Sequence, residues 1–139
     1  MKKEFVMRGQ TVPGQTEILN FSGFNPGLAY RMTEFQLYPS TGIGSGSHEM
    51  TGSVTAGKTA VNPTDPNFNE EGLIAVAQYR DNSSTNYQFT GSDGIVNDTF
   101  LITQNLILMV QDSTGSTEPV NWQCRFETVK MGQAEEAVT

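Results

Sequence analysis

The chain has 139 residues and a formal net charge of −7 at neutral pH, and its Leu, Ile, Val and Phe together number 31. That length and apolar content suit one domain with a thin core. The acidic balance excludes a protein that neutralises nucleic-acid phosphates, and no apolar run approaches the roughly 18 residues of a membrane-spanning helix. Ser and Thr number 26, Gly 14 and Asn 10, against 7 Ala and 4 Lys. This balance favours strands and turns over helical bundles or doubly wound α/β folds. Residues 1–8 hold two lysines, a glutamate and an arginine and no apolar signal core.

Taken in chain order, residues 3–8 predict a short strand. Pro13-Gly14 predicts a turn, because Pro presets φ and Gly accepts a positive one. Residues 16–21 predict a second strand, and Asn25-Pro26-Gly27 a break. Residues 28–38 predict a long strand whose apolar phase slips between Met32 and Phe35, consistent with a β-bulge near Thr33-Glu34. The Gly/Ser-rich stretch 40–47 predicts a loop. Residues 48–56 alternate cleanly, and Gly52 on the inner face predicts a close approach by a neighbour.

Residues 57–71 predict a long connection, with Asn62-Pro63 and Asp65-Pro66 holding it in extended or turn geometry. Residues 72–80 predict a strand covered on both faces near its start. Residues 81–86 read as a polar turn and 86–90 as a short edge strand. Gly91-Ser92-Asp93-Gly94 reads as a further reversal. Residues 98–103 and 105–111 predict a hairpin whose second strand lies centrally in its sheet. After a loop over 112–118, residues 119–130 show the longest alternation. Val120, Trp122, Cys124 and Phe126 fall on one face, and Asn121, Gln123, Arg125 and Glu127 on the other. About eight strands at this spacing predict an all-β, antiparallel two-sheet sandwich in jelly-roll or related Greek-key order, as a single domain.

The residues that could carry chemistry are few. Cys124 is the sole cysteine, so no intrachain disulfide forms, and its place in an apolar row reads as a small buried hydrophobe. His48 is the sole histidine, and the strand-to-helix nucleophile motif is absent. Zinc requires more Cys and His than the chain has. Asp65, Asn67, Asn69 and Glu71 alternate like the start of a calcium loop. Glu70 stands where that pattern needs Gly, however, and Val76 stands where it needs Glu, so a solvated acidic turn is the better reading. Asp93, Asn97 and Asp98 read likewise. The glycine run 42–46 lacks the lysine and helix of a phosphate loop. Asn20, Asn82 and Asn97 head glycosylation sequons at about the frequency chance provides. No cofactor is expected. Trp122 reads as core, while Tyr79, Tyr87 and Phe89 flank the polar 81–86 turn as a possible glycan rim, against the plainer reading of cross-strand aromatic pairing.

Two stretches carry a resemblance. One is Pro26-Gly27-Leu28-Ala29-Tyr30-Arg31 running into Phe35-Gln36-Leu37-Tyr38-Pro39. The other is Asn97-Asp98-Thr99-Phe100-Leu101-Ile102-Thr103-Gln104, running on into 105–111 and Asn121-Trp122-Gln123-Cys124-Arg125-Phe126. Together they resemble small accessory structural proteins of tailed, particularly marine, bacteriophage virions, over roughly residues 28–130. The resemblance implies a β-sandwich that decorates a capsid, or a minor tail or fibre component. It carries over no functional residue.

The expectation is therefore a non-enzymatic virion protein, made in the host cytoplasm, that cements the shell by contact with the major capsid protein. The termini 1–8 and 130–139, with Phe5, Val6, Met7, Met131 and Val138, are its candidate contact arms. A second expectation, from another class, is a carbohydrate- or host-receptor-binding module using the loops 40–47, 81–86 and 112–118 near Tyr79, Tyr87 and Phe89. Outward apolar residues also predict a homo-oligomer. Ile74 and Val76 oppose Leu73 and Ala75, and Ile107 and Met109 oppose Leu106 and Leu108, so a sandwich that buries only inner faces would leave one set wet. A trimer is preferred because capsid lattices offer three-fold positions.

Overall fold

Alternation along each strand settles which side turns inward, and the last strand shows it most simply. Val120, Trp122, Cys124 and Phe126 are all buried, while Asn121, Gln123 and Arg125 between them are only half covered. The computed structural model describes residues 3–21, 27–41, 47–57, 59–82 and 89–130, the side chains of residues 82 and 89–91 excepted. Within them lie β1 (Glu4–Thr11), β2 (Thr16–Leu19), β3 (Leu28–Pro39), β4 (Ser47–Thr55), β5 (Leu73–Asn82), β6 (Phe89–Val96), β7 (Leu106–Asp112) and β8 (Val120–Lys130). The protein is all-β. A three-stranded sheet in the order β1-β8-β3 faces a five-stranded sheet in the order β2-β7-β4-β5-β6, and the paired strands are antiparallel.

The larger sheet contains a Greek key. β4, β5 and β6 follow one another, and β7 returns to lie beside β4, giving the spatial order β7-β4-β5-β6. β7 is thus interior, as its apolar run predicts, and β6 is an edge. Gln15 N–H donates to the Val12 carbonyl at 3.0 Å, with Gly14 at φ 87°, so Pro13-Gly14 makes the expected turn. β3 slips register against β8 between Met32 and Glu34, which is the expected bulge.

The core lies between the sheets. Phe35, Met32, Cys124 and Phe126 meet Met50, Val54, Leu106, Leu108 and Val110, each at most 2% exposed. One end is aromatic: Phe5 stacks on Phe126 at 5.5 Å, and Phe21 and Tyr30 close around them. Two glycines let the sheets approach. A Cβ at Gly52 would lie 3.0 Å from the Phe35 ring, and one at Gly94 would lie 2.5 Å from the Phe35 carbonyl oxygen.

Four expectations change. Residues 4–8 are not a free arm, because they open β1, which pairs with Val120–Glu127 of β8, and they tuck Phe5 and Met7 against the core. Residues 91–94 do not reverse the chain but continue β6. The positive-φ glycines among the described residues are Gly14, Gly27 and Gly115, so Gly94 serves the close contact with Phe35 and not a turn. Residues 98–103 form no hairpin strand. Asn97 Oδ1 accepts from the Thr99 N–H and hydroxyl, curling the chain, and only Ile102 bridges, to Tyr30. Ile74, expected to need a partner's cover, is buried within the chain, as the strand covered on both faces near its start predicts. A register shift between Val54 and Thr55 leaves Leu73, Ile74 and Ala75 buried in succession.

Gly94→Ala should lower stability by about 1–3 kcal/mol, since the new methyl meets rigid backbone. Gly57→Ala, where a Cβ meets nothing within 4 Å, should stay within about 0.5 kcal/mol. Urea unfolding midpoints of the two variants check this.

Candidate functional site

Two buried ionisable side chains meet between β4 and β5. His48 and Asp81 stand opposite each other on β4 and β5 and are 7% and 5% exposed. His48 Nδ1 lies 3.3 Å from Asp81 Oδ2, and Nε2 lies 3.0 Å from the Thr41 carbonyl oxygen. Both partners accept, so both bonds form only when each ring nitrogen carries a proton. The pair ties β4 to β5 and to the end of β3.

Tyr79 packs beside the pair, its ring centroid 6.2 Å from that of His48. Its hydroxyl is buried without a well-aligned hydrogen-bond partner among the described residues. Burial, and secondarily the nearby Asp81 carboxylate, push that hydroxyl above the usual tyrosine range. At 3% exposure, Tyr79 belongs to the core and offers no face to a sugar, which corrects its place in the expected glycan rim. Tyr87 lies outside the described residues, and Phe89 opens β6 with its side chain outside them.

Cys124 is fully buried between the β1 and β3 positions of Met7 and Phe35, and burial raises its thiol well above the usual range. Asp65, Asn67, Asn69 and Glu71 are all exposed. Asn67 Oδ1 accepts from the Asn69 N–H at 2.9 Å, so the amide shapes its own loop. Asp93 lies on β6 and Asn97 caps its turn, with Asp98 exposed in that turn. Among the described residues no group of three or more His, Cys, Asp or Glu side chains converges. No helix of the described residues is long and apolar enough to cross a membrane.

Of the expected contact residues, Phe5 and Met7 face inward and Val6 is 36% exposed on the opposite face. Met131 and Val138 lie outside the described residues. The larger apolar surface is elsewhere, on the outer face of the five-stranded sheet. Ile18 stands opposite Ile107, and Met109 opposite Ser53, which in turn faces Val76 and then Ile95.

The 57–72 connection crosses the middle of that face. The Ser53 hydroxyl donates to the Val61 carbonyl at 2.5 Å, and Val61 N–H reaches the Thr55 hydroxyl at 3.4 Å. The connection is thus bonded to β4. On one side of it stand Ile18, Ile107 and Met109, and on the other its own Phe68 lies beside Val76 and Ile95. Phe68, Ile18 and Ile95 are 60%, 59% and 54% exposed. Sequence reasoning found Ile107, Met109 and Val76 by alternation. It missed Ile18, Phe68 and Ile95, because β6 was read as ending before Ile95 and a lone Phe in a loop carries no period.

No protein-family model, curated protein or solved structure matches the chain.

Two outcomes follow from the interior. Cys124 should resist a thiol reagent at pH 8 in the native protein and react fully once unfolded in guanidinium, as read by absorbance. His48→Leu should cost about 3–5 kcal/mol by leaving Asp81 buried alone, and adding Asp81→Leu should recover much of the loss. Chemical denaturation of the three variants, the two singles and the double, measures both effects.

Proposed function

We propose that the chain is a non-enzymatic virion structural protein, a capsid decoration or cement protein that works by adhesion. The observation that carries this reading is the outer face of the five-stranded sheet. Three large apolar side chains there, Phe68, Ile18 and Ile95, are each more than half exposed. Apolar side chains exposed in two patches, one on each side of the 57–72 connection, offer another protein surface to cover. Burying it contributes roughly 25 cal/mol per Å², and this adhesion raises the cost of separating shell subunits without any reaction.

The virion setting comes from the sequence resemblance, and the face supplies a means of attachment consistent with it. The partners are the major capsid protein and further copies of the chain. A thin-core sandwich of this size gains stability by self-association. A trimer fits the three-fold positions of a capsid lattice, where a ring closes. The adhesive surface is assigned to the sheet face and not to the N-terminal residues, because those are committed to β1.

Light scattering at micromolar concentration should give a mass of three times the 15.2 kDa chain, and Ile18→Glu with Ile95→Glu should reduce it to one while circular dichroism stays unchanged. A native mass of one chain overturns self-association. Co-sedimentation with capsid shells tests the virion role, and failure of the native protein to bind them overturns it.

A further inference from the structure

The outer face of the three-stranded sheet has the opposite character. Two cross-strand rows lie side by side on it: Gln10, Asn121 and Tyr38, then Arg8, Gln123 and Gln36. Together these six line a depression of about 620 Å³ with no Asp or Glu in its walls. The side chains of Gln10, Gln36 and Gln123 have no hydrogen-bond partner among the described residues, and Asn121 spends only its N–H, on the Pro39 carbonyl at 3.3 Å. Tyr38 is 57% exposed at the sheet edge, braced from behind by Tyr79 at 5.9 Å.

Arg8 is set apart from the other arginines. Arg31 pairs with Glu127 at 3.2 Å, Arg80 with Glu49 at 3.8 Å, and Arg125 with Glu4 and Glu34 at 3.6 and 3.8 Å. Arg8 has no carboxylate partner among the described residues. A protein of net charge −7 thus presents one unmatched guanidinium inside a groove free of carboxylates.

Each primary amide offers a donor and an acceptor together, the pairing that adjacent sugar hydroxyls require. A tyrosine face suits the C–H side of a pyranose ring, and a guanidinium takes a carboxylate through two parallel bonds. We propose that this groove binds an acidic oligosaccharide whose sugars carry carboxylates. Arg8 holds the carboxylate, Gln10, Gln36 and Gln123 hold hydroxyls, and Tyr38 stacks on a ring. The strands fix the cross-strand spacing of these residues, and the ordering of the exposed Arg and Gln side chains on binding is a cost that the new hydrogen bonds must offset. The site lies on the opposite sheet from the adhesive face and does not depend on that reading.

The test is titration calorimetry of the full chain with short galacturonate oligomers, sialyllactose, neutral cello-oligosaccharides and an oligoglutamate peptide. The expected result is binding of at least one carboxylated sugar, weakened by salt. It should fall at least about tenfold in Arg8→Ala, the scale of one lost charge-assisted hydrogen bond, and should be lost in Tyr38→Ala. Ile18→Glu should leave it unchanged, and Arg8→Ala should leave the native mass unchanged. Equal binding of neutral sugars overturns the role of Arg8. Binding of the peptide alone, or of none of the four, overturns the site.

Discussion

The inward row of β8 is the constraint from which the rest of the architecture follows. β1 and β3 are both edge strands of the smaller sheet, and each is hydrogen-bonded to β8. Without β8 that sheet does not exist, and the inner face of the larger sheet would open to water. Val120, Trp122, Cys124 and Phe126 supply the apolar surface that holds the two layers together. Because β8 ends at Lys130 and pairs with β1 beginning at Glu4, the smaller sheet closes only when both ends of the chain are in place. Such non-local pairing slows folding relative to helical proteins of similar size.

The interior tolerates polar groups where it satisfies them. The Trp122 indole N–H donates to the Thr11 hydroxyl at 3.0 Å, Glu127 accepts from Arg31, and the Ser53 hydroxyl is bound to the 57–72 connection. His48 and Asp81 form the most demanding of these arrangements, because neither can lose its partner without leaving a buried charge or an unmade bond. Among the described residues the pair joins three segments, β4, β5 and the chain just after β3.

The two outer faces then divide the surface by character. One bears apolar side chains on either side of a covering connection, and the other bears amides, a tyrosine and an unmatched arginine. A sandwich has no need of either pattern for its own stability, since both lie outside the core. That division is why the adhesive and the sugar-binding readings attach to separate sheets and are tested by separate substitutions.

The all-β class, the approximate strand count, the Pro13-Gly14 turn, the β3 bulge, the interior place of β7 and the burial of Trp122 and Cys124 are all legible in the residues alone. Each of these is local: a period of two, a turn dipeptide or a phase slip is written within a few consecutive residues. It takes the packed fold to show that the strand over residues 4–8 is docked on β8 and is no contact arm, that Gly94 serves contact with Phe35 and not reversal, and that Ile102 bridges alone to Tyr30. The packed fold also took Tyr79 from the expected rim into the core and set Arg8 beside Gln36 and Gln123. Those outcomes depend on which distant strand lies alongside, and alternation within a strand names a face without naming the neighbour that covers it.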